Sequence, residues 1–391
     1  MRPDRLALIG NFRLEASPSM LVCGDQLHAG LLHHHPEWST ELIQPAYRRV
    51  FSRLPRLPLL HRLTTGADKM LNRYGVYPWH LSSRRRDFDC HHICDHSYAS
   101  LVHRLPAERT GVLCHDVDVF RSVLQPELYR RSPRFNTMQR YALAGLARAA
   151  VVFYTTNHVR DEILRYGLTR EQRLVQVPLG IHPSFLERPP LDQVDALVKR
   201  TAGDRPFLLN VSVTLPRKRL DDLLRCFALL RRRHPDLLLV RVGPEWTPDQ
   251  DDLIADLNLD DGIRRIARLD QSALAPFYRA ARAVLMTSEA EGFGMPLIEA
   301  LASGALAVVS DIPVFHEVAG DAALYCPVGD PVAWAALLTR ILEGQAEVPD
   351  LATRLASVQR FSWQAHAQVI ASAYRERILE PLGQVPGGAA A

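Results

Sequence analysis

The stretch Glu291-Gly292-Phe293-Gly294-Met295-Pro296-Leu297-Ile298-Glu299 decides how this chain is read. It follows the apolar run Ala283-Val-Leu-Met-Thr287 and continues into Ala300-Leu-Ala-Ser-Gly304, after which Leu306–Ser310 is apolar again. Gly292 and Gly294 permit close backbone approach and dihedrals that side chains resist. Pro296 suits a first helical turn, so Pro296–Ser303 reads as a helix and Gly304 as its stop. The order is strand, glycine-bearing loop, helix, strand. Free amides at such a helix start make an anion site suited to phosphates. Glu291, ahead of the helix, is placed to accept sugar hydroxyls. Glu299, read in the first turn, is placed to take a vicinal diol such as that of ribose. A lone glycine turn with two solvated glutamates would mean little; the flanking strand and helix change its weight.

Further segments in the same half alternate in the same way. Phe207–Val211 and Leu237–Val242 read as strands. Leu220–Arg233 reads as a helix with Asp221 and Asp222 near its positive end, and Ser272–Ala280 as a short helix with Ser272 as its N-cap. Strands alternating with helices imply a parallel sheet covered on both faces. Within this frame Thr214-Leu-Pro-Arg217-Lys218 falls in a strand-to-helix loop. Two cations there would neutralise a diphosphate leaving group. The chain has only three lysines, Lys69, Lys199 and Lys218, so a lysine in that loop is more telling than it would be elsewhere.

The N-terminal half alternates less cleanly. Strand candidates are Leu6–Asn11, Thr40–Gln44, His92–Asp95, Gly111–Cys114, Ala150–Tyr154 and Leu174–Val177, with helices at Phe135–Arg148 and His158–Tyr166. Cys114-His115-Asp116-Val-Asp118 follows one of these strands. His115 therefore sits at a strand end, where ligand-facing residues gather in parallel sheets; a buried structural histidine is the alternative. Asp116-Val-Asp118 also has the DxD form of a metal site, set aside because phosphate held at a helix start needs no metal. The proline-rich stretch from Pro183 to Pro206 reads as a linker. The expected organisation is an N-terminal domain at 1–185, a C-terminal domain at 186–365, and at 366–391 a C-terminal helix that crosses back to the N-terminal domain and ends in a frayed tail.

The 391 residues suit two domains at roughly 100–200 residues each, and 47% hydrophobic content suits a globular protein. A net charge of +4 is too weak to imply nucleic acid. No stretch reaches the ~18 consecutive apolar residues of a membrane span. The N-terminal apolar run is too short for a signal peptide, so the expected compartment is the cytoplasm. The six cysteines are scattered, as reduced core cysteines are.

Together, Glu291–Glu299, Arg217-Lys218 and His115-Asp116 resemble the retaining GT-B glycosyltransferases of family 4. Glu291 and Glu299 stand as that family's E-x7-E signature, and Ser310-Asp-Ile-Pro-Val-Phe-His-Glu317-Val-Ala-Gly-Asp-Ala-Ala323 looks like the family as well. The resemblance is strong over about 205–345, weaker over about 90–185, where His96-Ser97, His115-Asp116 and Leu179-Gly180-Ile181 match, and poor over 1–85. It implies an α/β chain of the GT-B class, two Rossmann-like domains facing across a cleft. By the same resemblance Glu291 contacts donor-sugar hydroxyls, and the amides of Phe293, Gly294 and Met295 hold sugar and phosphates. Arg217 and Lys218 hold the diphosphate, Glu299 binds the ribose, and His115 lines the reacting face. The implied function is transfer of a hexose, with mannose weakly favoured, from a nucleotide-diphosphate sugar to a saccharide or lipid-linked acceptor, without metal or other cofactor. Two positions depart from the family pattern. Ser212 stands where glycine is usual, and Ser17-Pro-Ser-Met20 replaces a glycine-rich loop after the first strand.

Cys90-His-His-Ile-Cys94-Asp-His96 looks like a zinc cluster but lacks a second paired half, and alternation puts His92, Cys94 and His96 on one strand face. His33-His-His35 reads as an exposed helix end. The run 48–62, with Arg48, Arg49, Arg53, Arg56 and Arg62 among apolar residues, is a candidate for peripheral contact with an anionic membrane on its cytoplasmic side; the alternative is a solvated basic face. The competing functions are a nucleotide-sugar epimerase or phosphorylase on the same fold, or a non-catalytic nucleotide-sugar-binding protein.

Overall fold

A computed structural model describes residues 3–14, 18–53, 58–187 and 196–383. Arg56, Pro189-Pro190, Ser17 and the tail read as frayed lie outside the described residues, as do the side chains of residues 58–62. Two compact units are present: Met1–Leu179 with Trp363–Ala391, and Gly180–Ser362. The chain thus leaves the first unit at 179 rather than 185, and returns to it at Trp363 rather than 366. The stretch read as a linker carries helices of the second unit at Pro183–Leu186 and Ala196–Ala202.

The first unit holds six parallel strands: β1 (Asp4–Ile9), β2 (Trp38–Ile43), β3 (Cys90–Ile93), β4 (Thr110–Cys114), β5 (Val151–Tyr154) and β6 (Leu174–Gln176). Their order is β2-β1-β3-β4-β5-β6. The second unit holds β7 (Phe207–Val211), β8 (Leu238–Val242), β9 (Ile263–Ile266), β10 (Ala283–Met286), β11 (Ala307–Ser310) and β12 (Leu324–Cys326), ordered β12-β11-β10-β7-β8-β9. Both are doubly wound Rossmann-like sheets. The central strands are nearly continuous apolar runs because a parallel strand is covered on both faces. The edge strand β9, Ile-Arg-Arg-Ile, is only partly buried.

The helices that matter below are α1 (Pro18–His34), α2 (Pro58–Leu71), α3 (Leu220–Arg231), α4 (Gln271–Ala280), α5 (Met295–Ala302) and α6 (Trp363–Tyr374). Helix α4 is capped by Asp270, whose Oδ1 accepts from the Ala273 amide at 2.8 Å, not by Ser272. Ser272 donates its own hydroxyl to that carboxylate. Helix α5 starts at Met295, one residue before Pro296. That places Glu299 in the second turn rather than the first.

Helix α6 packs on α1 in the first unit. Its buried Tyr374 hydroxyl enters the sheet, donating to the His91 carbonyl at 2.7 Å and accepting from the Gly111 amide at 3.1 Å. A Cβ at Gly111 would stand 2.4 Å from that hydroxyl, so only glycine admits the tyrosine here.

Candidate active site

In open parallel sheets the ligand site lies at the carboxyl ends of the strands where their order reverses. In the second unit that point is between β7 and β10, which are hydrogen-bonded neighbours. The loop after β7 carries Arg217 and Lys218, and the loop after β10 carries Glu291 through Gly294. The topology therefore gathers residues more than seventy positions apart.

The two loops are stitched together. The Glu289 amide donates to the Arg217 carbonyl at 2.8 Å, and the Thr287 hydroxyl to the Lys218 carbonyl at 2.9 Å. Arg217 Nη1 donates to the Ala290 carbonyl at 2.7 Å and to Glu291 Oε2 at 3.0 Å. Lys218 Nζ donates to Glu291 Oε1, which also accepts from the Ser288 hydroxyl. Arg219 takes a left-handed backbone conformation, φ 50°, costly for a residue with a Cβ. Its side chain is held by Asp222 in the first turn of α3 and by Glu289 in the loop after β10.

Glu291 is thus buried and engaged by two cations and a hydroxyl, where the sequence suggested a carboxylate open to sugar. Burial pushes its carboxyl up, but the Lys218 and Arg217 charges and the hydrogen bonds outweigh this and bring it down to about 2. As the protein stands, its first task is to hold the two cations at the strand ends.

The turn into α5 is shaped for close approach. Gly294 has φ +89°, and a Cβ there would meet Phe315 at 2.9 Å. Phe293 anchors the loop edge-on against Phe361, 5.3 Å between centroids. The Phe293 and Gly294 amides have no acceptor among the described residues. Met295 and Pro296 form the first turn of α5, half-buried, and Gly292 is buried ahead of them. Four residues beyond Met295, Glu299 is half-buried, and burial raises its carboxyl to about 7, a hydrogen bond from Tyr278 opposing the rise.

His115 belongs to the first unit, after β4. Its ring is buried; Nε2 donates to the Cys94 carbonyl at 2.9 Å, and Nδ1 has no partner among the described residues. Burial holds it below the usual histidine range, the nearby Asp95 carboxylate opposing. The His115 amide donates to His96 Nδ1, and Asn11 Nδ2 donates to Asp95 Oδ2 at 2.6 Å across the ends of β1 and β3, where this sheet's order reverses. Asp116 Oδ1 accepts from the Asp118 amide and lies 3.6 Å from His96 Nε2, so the DxD-like pair is engaged locally.

No three His, Cys, Asp or Glu residues come together as a metal site among the described residues. His92 faces Tyr374 and His96 faces Phe120 and Asp116, dispersing the run that resembled a zinc cluster. His33 and His34 are exposed, whereas His35 is buried with Nδ1 3.1 Å from Glu37. All six cysteines are buried and free. Ser288, Tyr278 and Asp95 were not singled out from the sequence. The spacing of Ser288 to Glu291 offered a weak signal, and Tyr278 offered none, since its place in an amphipathic helix reads as core.

Residues 196–358 match the model of a family described as glycosyl transferases group 1. The MMP alpha-(1→4)-mannosyltransferase of Mycolicibacterium hassiacum is 31% identical over 315 residues, 76% of this chain and 73% of that protein. The chain belongs to the group 1 glycosyl transferases. The chain is similar over a comparable extent to the O-antigen chain mannosyltransferase B of Escherichia coli, 28% identical over 281 residues, 70% of this chain and 72% of that protein. A sucrose-phosphate synthase from Thermosynechococcus elongatus superposes with a TM-score of 0.73 at 20% identity, over 96% of this chain and all of that one. This likeness identifies the two Rossmann-like sheets as the GT-B fold. As a group 1 glycosyl transferase the chain is an enzyme of sugar transfer, and the epimerase and binding-protein readings fall away.

Proposed function

We propose that this glycosyl transferase is a retaining enzyme of family 4. It moves a hexose, with mannose favoured, from a nucleotide-diphosphate sugar to a saccharide or lipid-linked acceptor in polysaccharide biosynthesis. The observation that carries the donor assignment is the pairing of Arg217 and Lys218 with Glu291 beside the Phe293 and Gly294 amides, which have no acceptor among the described residues. The preference for mannose draws on the names of its relatives, an O-antigen mannosyltransferase and an MMP mannosyltransferase.

In the proposed reaction the acceptor hydroxyl attacks the anomeric carbon on the face from which the diphosphate leaves. The new C–O bond forms as the C–O(phosphate) bond breaks, and the departing phosphate oxygen takes the hydroxyl proton. Arg217, Lys218 and the amides of Phe293, Gly294 and Met295 stabilise the developing negative charge. No metal is required on this reading. Glu291 holds the cations and presents its edge to the sugar, Glu299 takes the ribose diol, and His115 keeps the catalytic role that the family resemblance implies for it.

The proposed place of action is the cytoplasmic face of a membrane, reached peripherally. No described helix is long and apolar enough to cross one. Support comes from Val50 and Phe51, exposed beside Arg48, Arg49 and Arg53. Their loop is held firmly: the buried Asp68 of α2 accepts from the amides of Val50, Phe51 and Ser52 at 2.8–3.0 Å.

The test is a panel of GDP- and UDP-sugars, scored for thermal stabilisation and for transfer or slow hydrolysis, with the anomeric configuration of the product read by NMR. A GDP-hexose that stabilises the protein and is consumed with retention supports the proposal. Absence of stabilisation by every donor, or an inverted product, overturns it.

A further inference from the structure

Resting on the assignment of Glu299 to the ribose, we propose that Tyr278 is a positioning residue for the donor. Its hydroxyl fixes one oxygen of the Glu299 carboxylate and leaves the other for the vicinal diol.

Tyr278 lies on α4 and is 0% exposed. Its hydroxyl donates to Glu299 Oε2 at 2.8 Å. The ring is fixed in turn by Phe185, edge-on at 5.6 Å and 77°. Phe277, the preceding residue, is equally buried and serves the core without a hydroxyl. A phenylalanine at 278 would fill the same volume; the added oxygen has Glu299 as its partner among the described residues.

Glu299 differs from Glu291 in the kind of partner it has. Glu291 is paired with two cations. No cation pairs with Glu299 among the described residues, and its one hydrogen bond comes from a neutral phenol. Oε1 is left as an acceptor on a half-buried side chain, suited to neutral hydroxyl donors such as a diol. A free glutamate side chain has rotamer entropy worth up to ~2 kcal/mol, all of which a ligand would otherwise have to remove. The Tyr278 bond removes part of it before the donor arrives, so that the carboxylate is preset.

The experiment compares GDP and UDP with their 2′,3′-dideoxy counterparts by calorimetry, on the wild type, Tyr278→Phe and Glu299→Gln. Loss of one hydrogen bond's worth of preorganisation predicts about three- to tenfold weaker binding of the preferred ribonucleotide to Tyr278→Phe. Binding of the dideoxy form should be unchanged, and donor KM should rise by a similar factor with kcat nearly constant. A packing role would weaken both nucleotides alike, so equal weakening, or none, overturns the proposal. Glu299→Gln keeps an oxygen that the Tyr278 hydroxyl can still meet, so additivity is read on Glu299→Ala, which removes the acceptor: adding Tyr278→Phe to it should have little further effect, and full additivity counts against the proposal. If the wild type itself binds ribo and dideoxy forms equally, the assignment of Glu299 to the ribose fails, and the role of Tyr278 with it.

Discussion

Arg217 Nη1 donates to Glu291 Oε2 at 3.0 Å, while the neighbouring Lys218 ammonium takes the other oxygen of the same carboxylate. Two cations from one loop therefore share a single anion from another, which fixes both side chains at the strand ends.

Removing either member should be costly in function. Lys218→Ala and Glu291→Ala are each expected to lower kcat/KM for the donor by about 100-fold or more, since the stabilised charge develops in the transition state. Glu291→Ala should also destabilise the fold by about 1–3 kcal/mol, because two half-buried cations lose the carboxylate they share. Steady-state kinetics and urea melts check both. Wild-type rates in both variants would reject the roles.

The two glutamates should give opposite pH signatures. The folded-state carboxyl of Glu299 is raised to about 7 from an ordinary 4.5. Its contribution to stability is full below about 4.5 and is lost as pH rises through 7. Donor binding needs the ionised form, so donor KM should climb as pH falls below 7, and Glu299→Gln should flatten that limb. Glu291, lowered to about 2, contributes stability above 4.5 that disappears only in strong acid. Donor KM and thermal midpoint, each followed against pH, separate the two.

Gly294→Ala combines a left-handed backbone with a Cβ 2.9 Å from Phe315. It should cost about 1–3 kcal/mol of stability and displace the amides ahead of α5. Loss of nucleotide affinity larger than the loss of stability, measured by calorimetry and urea melts, is the expected pattern.

Tyr374→Phe should destabilise the first unit by about 1–3 kcal/mol, leaving the buried Gly111 amide and His91 carbonyl without their partner. Activity per folded molecule at 25 °C should be unaltered. A thermal melt paired with specific activity checks this.

Replacing Arg48, Arg49 and Arg53 together with alanine should abolish pelleting with vesicles rich in anionic phospholipid, leaving activity on a soluble acceptor intact. Unchanged pelleting would remove this loop as the contact.

The strands were readable because a parallel strand covered on both faces must be apolar throughout, as Leu208–Leu209 and Val308–Val309 are. Ends were less readable. Met295 has no helix-start character and yet precedes the proline, and Asp270 caps where Ser272 was expected because both are capping residue types two positions apart and the helix starts at Gln271. The types of residue in the donor site were legible in Glu291, Arg217 and Lys218. Their mutual engagement was not, since it depends on β7 and β10 being neighbours although more than seventy residues separate them. Tyr278 was hidden for a related reason: a tyrosine on the buried face of a helix differs from a core phenylalanine only through the residue its hydroxyl meets.

Because α6 carries Tyr374 back into the first sheet, the second unit is an insertion within the first. During synthesis the segment 180–362 is complete, and free to fold, before the first unit has its last helix. The N-terminal strands must wait for the ribosome to deliver residues beyond Trp363, with the face that α6 will cover still exposed. A chain that stops short of α6 would therefore have a finished second unit and an unfinished first one, a state that limited proteolysis of such truncations would reveal.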